Sequence, residues 1–538
     1  MAEPRKYRTS RTRSERIRTG RSRPGSQRPS VGEIWQDTRN SLRQASPKSL
    51  KAALGPLVGL ALLAGLGGLV LANPAAPVDP IRPVRSQALA APRQDSQLIC
   101  PQAASNGLEV ADYDAAKQAT LLAAVPGTKA TYQGQDLESG RPHERDDAEG
   151  GLLTIAQHGT ASADGIGHTA TLFESGDLRG LVTAPCTAPR TVAWIVAGTS
   201  RPGAYSELRL TNPGTTTVSA SVTAYGDTGL LDLPGGGQAV IAPGKTESVY
   251  LGTSDSAATD GRLAVRVVAE GGALGVNMVE ETLDGETPAG VEVITPGADP
   301  ATEQLVPGVV LVEPDKQGQG TSQAASFDQP VVRLVNPSET AATVQVSLLG
   351  PDGEQALPGA EAVTVDPGAV FDVSLAGVTP GSYTLRTTSD QPVGAAVQLV
   401  RSAGEFPEHS GALLRDRAWI QATNADLQLG ADLTLPRHWG AVPQLVLGNA
   451  SDTSRTVTLR SIDATWSQDL TLAPGTSTTV DGIPEEVTVL QASADGEGCG
   501  AAVVITTEVL GEEAGTLVSA LPAVPGAQAQ SSRHVLLH

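Results

Sequence analysis

Histidines are the side chains of this chain most able to act near neutral pH, as bases or as metal ligands. The seven histidines lie at positions 143, 158, 168, 409, 438, 534 and 538. None belongs to a His-Glu-x-x-His helix or to a paired Cys/His pattern of the kind that binds zinc. His158 and His168 could meet across a hairpin beside Asp164 and serve as a base or a metal pair. We interpret the histidines as solvated loop residues and predict no metal site.

Nucleophile and phosphate-binding motifs are the next candidates. The sequence has no Gly-x-Ser-x-Gly nucleophile elbow. The stretch from Gly235 to Glu247 resembles a phosphate-binding loop, but Ala239 occupies the position where Gly-x4-Gly-Lys-Ser/Thr requires the first glycine. We interpret it as a turn between strands. We therefore predict no catalytic and no cofactor-binding residues, no cofactor, and a protein that is not an enzyme.

Acidic loops and tryptophans could bind calcium or sugars. The acidic loops, Asp146-Asp147 with Glu149 and Asp255 with Asp260, lack the ordered spacing of a calcium loop. A solvated acidic surface suits the net charge of −20. Four tryptophans could form a sugar platform, but each falls in or beside a strand-like run, which favours packing: Trp194, Trp419, Trp439 and Trp466.

The three cysteines are Cys100, Cys186 and Cys499. An exported chain can form disulfides, and three cysteines allow three single pairings. We favour Cys100 with Cys186, because these two flank the first folded segment. Cys499 is then the odd residue, either buried as a small apolar side chain or joined to another molecule.

An apolar run from Leu54 to Ala72 divides the chain. Its 19 residues carry no charge, and as a helix they would extend about 28 Å, close to the thickness of a bilayer core. Residues 1–51 hold 14 Lys/Arg and 4 Asp/Glu, so the remainder of this −20 chain carries −30. The positive-inside rule then predicts a single-pass protein of the cell membrane, with a cytoplasmic N-terminus and an extracytoplasmic body. The alternative is a signal peptide cleaved after Ala72, with Val70 at the −3 position.

The segments beside this run are low in apolar residues. Residues 1–51 are rich in Arg, Ser and Pro, which predicts a disordered tail that acts as a topology signal, with attraction to anionic lipid as the alternative role. Interleaved aromatic residues are missing from the tail, so nucleic acid is not expected as a partner. Residues 73–96 are rich in Pro and Ala and predict an extended spacer. Residues 527–538 predict a flexible C-terminus.

The body repeats itself three times from about residue 190. Segments 207–215, 332–339 and 444–452 align, and each places an asparagine at the end of an alternating apolar strand: Asn212, Asn336 and Asn449. A Pro-Gly turn follows 31, 31 and 25 residues later, at 243–244, 367–368 and 474–475. Period-2 alternation between Gly, Pro, Asn and Asp residues is typical of antiparallel strands.

About seven short strands per repeat predict a mainly β protein of tandem immunoglobulin-like β-sandwich domains. We place these domains at 190–300, 301–430 and 431–526. Residues 97–189 predict a separate small β-rich domain.

Several short motifs of the body resemble a family of actinobacterial envelope proteins of unknown function. They are Cys100-Pro101, Ala184-Pro185-Cys186, the runs 194–199 and 208–214, Val306-Pro307-Gly308, and the run 416–420. This resemblance implies a basic cytoplasmic tail, one membrane helix and a β-rich exported body, often encoded near a glycosyltransferase. It implies no catalytic residues. The third repeat departs from the family pattern, because Gly448-Asn449-Ala450 replaces Asn-Pro.

These patterns favour a non-enzymatic, membrane-tethered protein that acts as a spacer or docking scaffold at the cell envelope. Its partners would then be the membrane and envelope proteins or glycans. One alternative is a glycan- or cell-wall-binding module, or an accessory to an envelope glycosyltransferase. Another is a hydrolase with a site in residues 97–189, built around His158 and His168.

Overall fold

The computed structural model describes residues 95–104, 116–156, 164–252, 260–313 and 329–526. The chain divides into two units, Met1–Ser86 and Gln87–His538, and every described residue belongs to the second. The predicted tail, membrane segment and C-terminus lie outside the described residues, as does the predicted spacer up to residue 94. No described helix is long and apolar enough to cross a membrane.

The described body is mainly β, as predicted. Its strands are paired antiparallel in several sheets, and the described residues outside strands include two short 3-10 turns, Pro234–Gly237 and His438–Gly440. Strands β1 to β8 form what we call copy 1: β1 (Ser96–Cys100), β2 (Lys117–Ala124), β3 (Lys129–Tyr132), β4 (Gln135–Leu137), β5 (His143–Arg145), β6 (Gly151–Ala156), β7 (Gly165–Phe173) and β8 (Gly180–Pro185).

The three sequence repeats follow as copies 2, 3 and 4. Copy 2 contains β9 (Val192–Ile195), β10 (Ala204–Thr211), β11 (Val218–Gly226), β12 (Gly229–Leu231), β13 (Gln238–Ile241), β14 (Thr246–Tyr250), β15 (Ala264–Glu270), β16 (Gly275–Asp284) and β17 (Thr287–Ile294). Copy 3 contains β18 (Ala301–Leu311), β19 (Val331–Val335), β20 (Ala342–Gly350), β21 (Gly353–Ala356), β22 (Val363–Val365), β23 (Val370–Ser374), β24 (Gly381–Glu405) and β25 (Leu413–Gln421).

Copy 4 follows a two-residue strand, β26 (Thr423–Asn424), which pairs with β18 of copy 3. It contains β27 (Gln428–Thr434), β28 (Val442–Asn449), β29 (Arg455–Ser461), β30 (Ser467–Leu472), β31 (Thr476–Thr479), β32 (Val489–Glu497), β33 (Cys499–Val509), β34 (Gly515–Pro522) and β35 (Val524–Pro525).

All four copies share one strand order. In each copy one sheet has the order seen in β1-β6-β3-β4, which recurs as β9-β15-β11-β12, β18-β24-β20-β21 and β27-β32-β29-β30. The other sheet has the order of β5-β2-β7-β8, which recurs as β14-β10-β16-β17, β23-β19-β24-β25 and β31-β28-β33-β34. Copy 1 therefore repeats the architecture of the other three, a relationship that the sequence did not reveal.

Strand β24 is long because it serves both sheets of copy 3. Its first half, up to Val393, pairs with β18 and β20, and its second half, from Gly394, pairs with β19 and β25. The matching chain in copies 2 and 4 is broken into two strands at Gly271 and Gly498, whose φ angles are +89° and +90°. Glycine adopts this left-handed conformation without steric cost, which ends one ladder and starts the next.

The predicted alternation places apolar side chains inside each copy. Val218, Ala220 and Val222 of β11 are buried between the two sheets of copy 2, whereas the intervening Ser219 is exposed. The valines of β20 and the Val457 and Leu459 pair of β29 behave in the same way. Few aromatic residues are needed, because small aliphatic side chains fill these cores.

The repeated asparagines clamp the turn between strands. Asn212, Asn336 and Asn449 are fully buried, and each donates its side-chain amide to a carbonyl four residues later, at 2.8–2.9 Å. Each also donates to a carbonyl just before the Pro-Gly turn, which is 29, 29 and 23 residues away. The loop of copy 4 is six residues shorter, and the clamp is unchanged. These asparagines are structural.

Candidate functional site

The favoured cysteine pair occupies the core of copy 1. Cys100 ends β1 and Cys186 follows β8, and the structure joins them in a disulfide bond that spans 86 residues. Both are buried among Leu98, Leu122 and Leu153. Cys499 is a free, buried thiol in copy 4, where burial raises its pKa to about 11. The disulfide holds the two ends of copy 1 together.

The histidine prediction is wrong for His168. This residue lies on β7 with a fully buried side chain, because its face of the sheet packs against copy 4. Its ring neighbours that of His438, and His158 lies outside the described residues. Within the described ranges, no three His, Cys, Asp or Glu side chains are grouped so that they could hold a metal ion.

The acidic loops and tryptophans take structural positions. Asp147 pairs with Arg145 at 2.9 Å, Asp260 pairs with Arg262, and Asp255 lies outside the described residues. Trp194 and Trp419 are buried. Trp439 and Trp466 are partly buried and pack against the core of copy 4. The stretch beginning at Gly235 is the short turn and hairpin between β12 and β14.

One edge strand of each copy meets the corresponding edge strands of the other copies. β8 packs against β17 and β34, and β25 packs against the same two strands, so the four form a closed ring. We call these four strands the ring junction. Each is the edge strand of its own sheet, and edge strands carry unpaired backbone groups that need protection. The junction buries all four edges at once.

Asp416 closes two of these edges. It lies on β25 and is fully buried, and its Oδ2 accepts the backbone N–H groups of Leu181 on β8 at 3.2 Å and Val518 on β34 at 2.8 Å. Burial raises the pKa of Asp416 to about 7, opposed by these N–H donors and by the Arg179 guanidinium. One carboxylate from copy 3 thus bridges copies 1 and 4.

Glu292 lies on β17 and closes a third edge, that of β25. Both of its carboxylate oxygens accept the backbone N–H of Trp419 on β25, at 2.7 and 2.9 Å. Its register partner Glu280 on β16 accepts the indole N–H of the same tryptophan at 3.1 Å. Burial raises the pKa of both glutamates. Two facing carboxyl groups of copy 2 therefore hold one tryptophan of copy 3.

A hydroxyl pair and two glycines complete the ring junction. Ser519 on β34 accepts the backbone N–H of Thr183 on β8 at 2.9 Å. A Cβ atom on Gly180 would lie 2.9 Å from Val291 and 3.0 Å from Asp416, and one on Gly290 would lie 3.1 Å from the backbone of β25. The edges approach so closely that glycine is required at both places.

Arg333 fastens copy 3 to copy 2 beside the junction. It forms a buried bidentate ion pair with Asp372, with both N···O distances at 2.9 Å, and stacks on Trp419 with 4.6 Å to the ring centroid. Its remaining nitrogen donates to the carbonyls of Gly198 and Leu263 in copy 2. The ion pair itself lies within copy 3, and the third guanidinium nitrogen of Arg333 joins it to copy 2.

An open groove of about 860 Å³ lies between copies 3 and 4 and is the candidate functional site. Its volume falls in the range of ligand-binding clefts. The charged side chains that line it are five carboxylates and two guanidinium groups: Glu303, Glu354, Asp426, Asp452, Glu497, Arg386 and Arg455. Net negative charge predicts a cationic or hydroxyl-rich ligand surface rather than an anionic one.

The repeat geometry builds the groove walls. Arg386 on β24 pairs with Glu303 at 2.6 Å and with Glu354 at 3.2 Å, so it is held on the copy 3 side. Asn449 holds the opposite wall, because its Oδ1 accepts the backbone N–H of Ser451 at 3.0 Å and its amide clamps the turn before Pro474. Asp426, Asp452 and Glu497 are exposed. These three carboxylates are free to meet a partner.

Sequence reasoning missed both the ring junction and the groove. The run 416–420 was singled out as a family motif, and it contains both Asp416 and Trp419, but nothing in one strand shows which backbone edges its carboxylate reaches. The groove combines loops that are far apart in sequence. The predicted Asn repeat was a usable signal, because it marks the turn that forms one wall.

A family model described as a family of unknown function, DUF5719, matches residues 142–482, which is more than half of the chain. No curated protein matches the chain at a significant level.

Proposed function

Because this chain belongs to DUF5719, a family of unknown function, we propose a role from its architecture. The protein is a non-enzymatic, membrane-tethered scaffold on the extracytoplasmic side of the cell envelope, and the groove between copies 3 and 4 docks its partner. The apolar run from Leu54 to Ala72 supports a single-pass anchor, and the basic tail supports a cytoplasmic N-terminus. The same segments support membership in an actinobacterial, membrane-anchored envelope family.

The repeats are proposed to be immunoglobulin-like sandwiches. In every copy the opening strand pairs in one sheet with β6, β15, β24 or β32, and the next strand pairs in the opposite sheet with β7, β16, β24 or β33. These pairings correspond to the B–E and C–F neighbours of the immunoglobulin fold. Copy 1 shares them, so the proposal extends to four domains.

The ring junction is the observation that carries the scaffold proposal. Asp416, Glu292 and Ser519 of three copies satisfy backbone N–H groups of the neighbouring copies. A buried charge that loses its partners is costly, so the copies resist sliding or separating. Four domains fixed in this way present the groove as a rigid surface, and rigid surfaces lower the entropy cost of docking.

The groove proposal predicts a partner with a basic or hydroxylated surface. Charge reversal of Asp426, Asp452 and Glu497 to lysine should abolish cross-linked capture of the partner by the full-length chain in native membranes. A matched control reverses three exposed carboxylates of the same copy that do not line the groove, Asp481, Glu485 and Glu486. The control should capture the same partner as the unmodified chain. Equal capture by all three proteins would contradict docking at the groove.

Glycan binding is the second candidate, because paired carboxylates and guanidinium groups such as Glu303 and Arg386 suit sugar hydroxyls. A glycan array with the full-length chain in detergent distinguishes glycan binding from protein docking. Retention of an envelope glycan that is lost in the groove variant would favour this candidate over protein docking.

A further inference from the structure

Two glutamates of copy 2 form a buried pair at the contact with copy 3. Glu280 on β16 and Glu292 on β17 are register partners on adjacent strands, which sets their Cβ atoms about 4.5–5.5 Å apart. The two residues are only 6% and 4% exposed. Both carboxyl groups accept from one residue of copy 3, since Glu280 accepts the indole N–H of Trp419 and Glu292 accepts its backbone N–H. Copy 3 therefore covers both carboxyl groups at once.

The charges around the pair balance one carboxylate but not two. Arg417 on β25 supplies one positive charge, which favours the ionised form of Glu280. Arg333 on β19 supplies another, but Asp372 already forms an ion pair with it at 2.9 Å. Among the described residues, the net positive charge beside the two glutamates is thus that of a single guanidinium group.

The remaining neighbours add no positive charge. Arg415, farther along β25, is paired with Asp284 at 3.0 Å. Asp416 on the same strand adds a negative charge near Glu292 when it is ionised. The residues of β10 that share the face of Glu280 are uncharged, and so is every residue of β8: Ala204, Ser206, Leu208 and Gly180–Pro185. Two ionised glutamates would leave a buried charge without compensation, which is costly.

A cavity of about 10 Å³ borders the pair. Both glutamates line it, together with Thr282, Arg417 and Trp419. This volume has room for one water molecule, and a hydrated counter-ion does not fit. A proton needs no such space, and it neutralises the second carboxylate directly.

We propose that Glu280 and Glu292 hold one proton between them in the folded chain, and that release of this proton loosens the contact between copies 2 and 3. When the contact opens, both carboxyl groups meet water, ionise at neutral pH and pass the proton to the solvent. The contact is then strongest in acidic surroundings and weakens as the pH rises.

The direction of titration supports this account. Burial raises the pKa of both glutamates, and the charge of Glu280 raises that of Glu292 further, against the opposing N–H bond from Trp419. An unfolded glutamate has a pKa of about 4.3. The folded state therefore binds one more proton than the open state, so the contribution of the pair to stability is fully present below about pH 4 and is lost as the pH rises through the raised pKa.

Amide hydrogen exchange of Trp419 in the full-length chain measures this linkage. Each opening releases one proton, so the protection factor of the Trp419 amide should fall about tenfold per pH unit while the closed pair keeps its proton. Glu292→Gln should remove this tenfold dependence, because its side-chain carbonyl still accepts the Trp419 N–H but carries no proton to release. Glu270→Gln, at an exposed position of β15, is the matched control and should behave like the unmodified chain.

Infrared spectroscopy detects the proton itself without a variant. A protonated carboxyl group has a C=O stretching band that an ionised one lacks. At neutral pH the folded chain should show this band, and part of it should shift when the glutamate carboxyl carbons carry a heavy isotope. Labelling of glutamate alone distinguishes the pair from Asp416 and Asp432, because burial raises the pKa of both aspartates to about 7.

Two results would overturn the proposal. A band that does not shift with labelled glutamate would show that both glutamates are ionised in the folded chain. An equal pH dependence of Trp419 protection in the unmodified chain and in Glu292→Gln would show that the contact opens without releasing a proton from the pair.

Discussion

Glu292 of copy 2 accepts the backbone N–H of Trp419 of copy 3 on both of its carboxylate oxygens, at 2.7 and 2.9 Å. A strand edge that could otherwise pair with another strand is thus closed by a side chain of the neighbouring copy. Asp416 does the same for Leu181 and Val518. The ring junction joins four copies without merging their sheets.

Asp416→Asn should change how stability depends on pH. The pKa of Asp416 is raised to about 7 in the folded chain, above the value of about 3.9 in the unfolded chain. The folded state therefore binds one more proton than the unfolded state between these values, so the contribution of Asp416 to stability is fully present below about pH 4 and is lost as the pH rises through 7. Between pH 4 and 7 Asp416 lowers the free energy of unfolding by about 1.4 kcal/mol per pH unit, and this part of the slope should be missing in the asparagine variant. Urea unfolding at several pH values measures both slopes.

The control for that experiment is Asp352→Asn, at an exposed turn between β20 and β21. Its pH dependence should match that of the unmodified chain. An Asp416→Asn profile with the same slope as this control would show that Asp416 titrates normally.

Gly180→Ala should destabilise the ring junction. The added Cβ would stand 2.9 Å from Val291 and 3.0 Å from Asp416, and overpacking of this kind costs about 1–3 kcal/mol. Gly252→Ala is the matched control, since nothing lies within 4 Å of its Cβ position. Thermal unfolding should show a lower midpoint for the first variant alone. Equal midpoints would mean that β8 does not approach β17 and β25 so closely.

Asn336→Ala should destabilise copy 3 by about 2–4 kcal/mol, because it leaves several buried backbone groups without partners. Ser338→Ala is the control, since only the backbone N–H of Ser338 contacts the asparagine. Chemical denaturation of both variants measures the difference. A cost below about 0.5 kcal/mol for Asn336→Ala would place it among ordinary surface substitutions and refute the clamp.

Thiol counting tests the disulfide. Without reductant, the folded chain should show almost no reactive thiol, because burial raises the pKa of Cys499 to about 11 and hides its sulfur. Unfolding should expose one thiol, and unfolding after reduction should expose three. Replacing Cys100 and Cys186 together by serine should lower stability by up to about 4.5 kcal/mol for this loop of 86 residues. Three thiols before reduction would contradict the bond.

The sequence predicts the strands well where a local signal exists. Asn212, Asn336 and Asn449 mark the same turn in three copies, and their spacing is visible in one dimension. The sequence did not reveal copy 1 as a further repeat, because Ala124 occupies the position of the asparagine and Gly140 follows Ser139 rather than a proline. The turn is nevertheless kept, since Gly140 donates its N–H to the carbonyl of Ala124 as Gly244 does to Asn212.

The site could not be predicted because it depends on contacts between copies. Asp416 and Glu292 look like ordinary polar residues of alternating strands, and their burial follows only from the ring of four edges. His168 was interpreted as solvated for the same reason, since copy 4 covers it. Local periodicity predicts the strands of each copy, but the packing of one copy against another can be seen only in the three-dimensional structure.

Amide hydrogen exchange of the full-length chain tests the ring junction most directly. The amides of Leu181, Thr183, Trp419 and Val518 donate to side chains of other copies. They should exchange as slowly as the hydrogen-bonded amides of the neighbouring inner strands. In Asp416→Asn, the exchange rates of Leu181 and Val518 should increase more than that of Trp419. Exchange at the rate of exposed edge strands, in all four, would contradict the account.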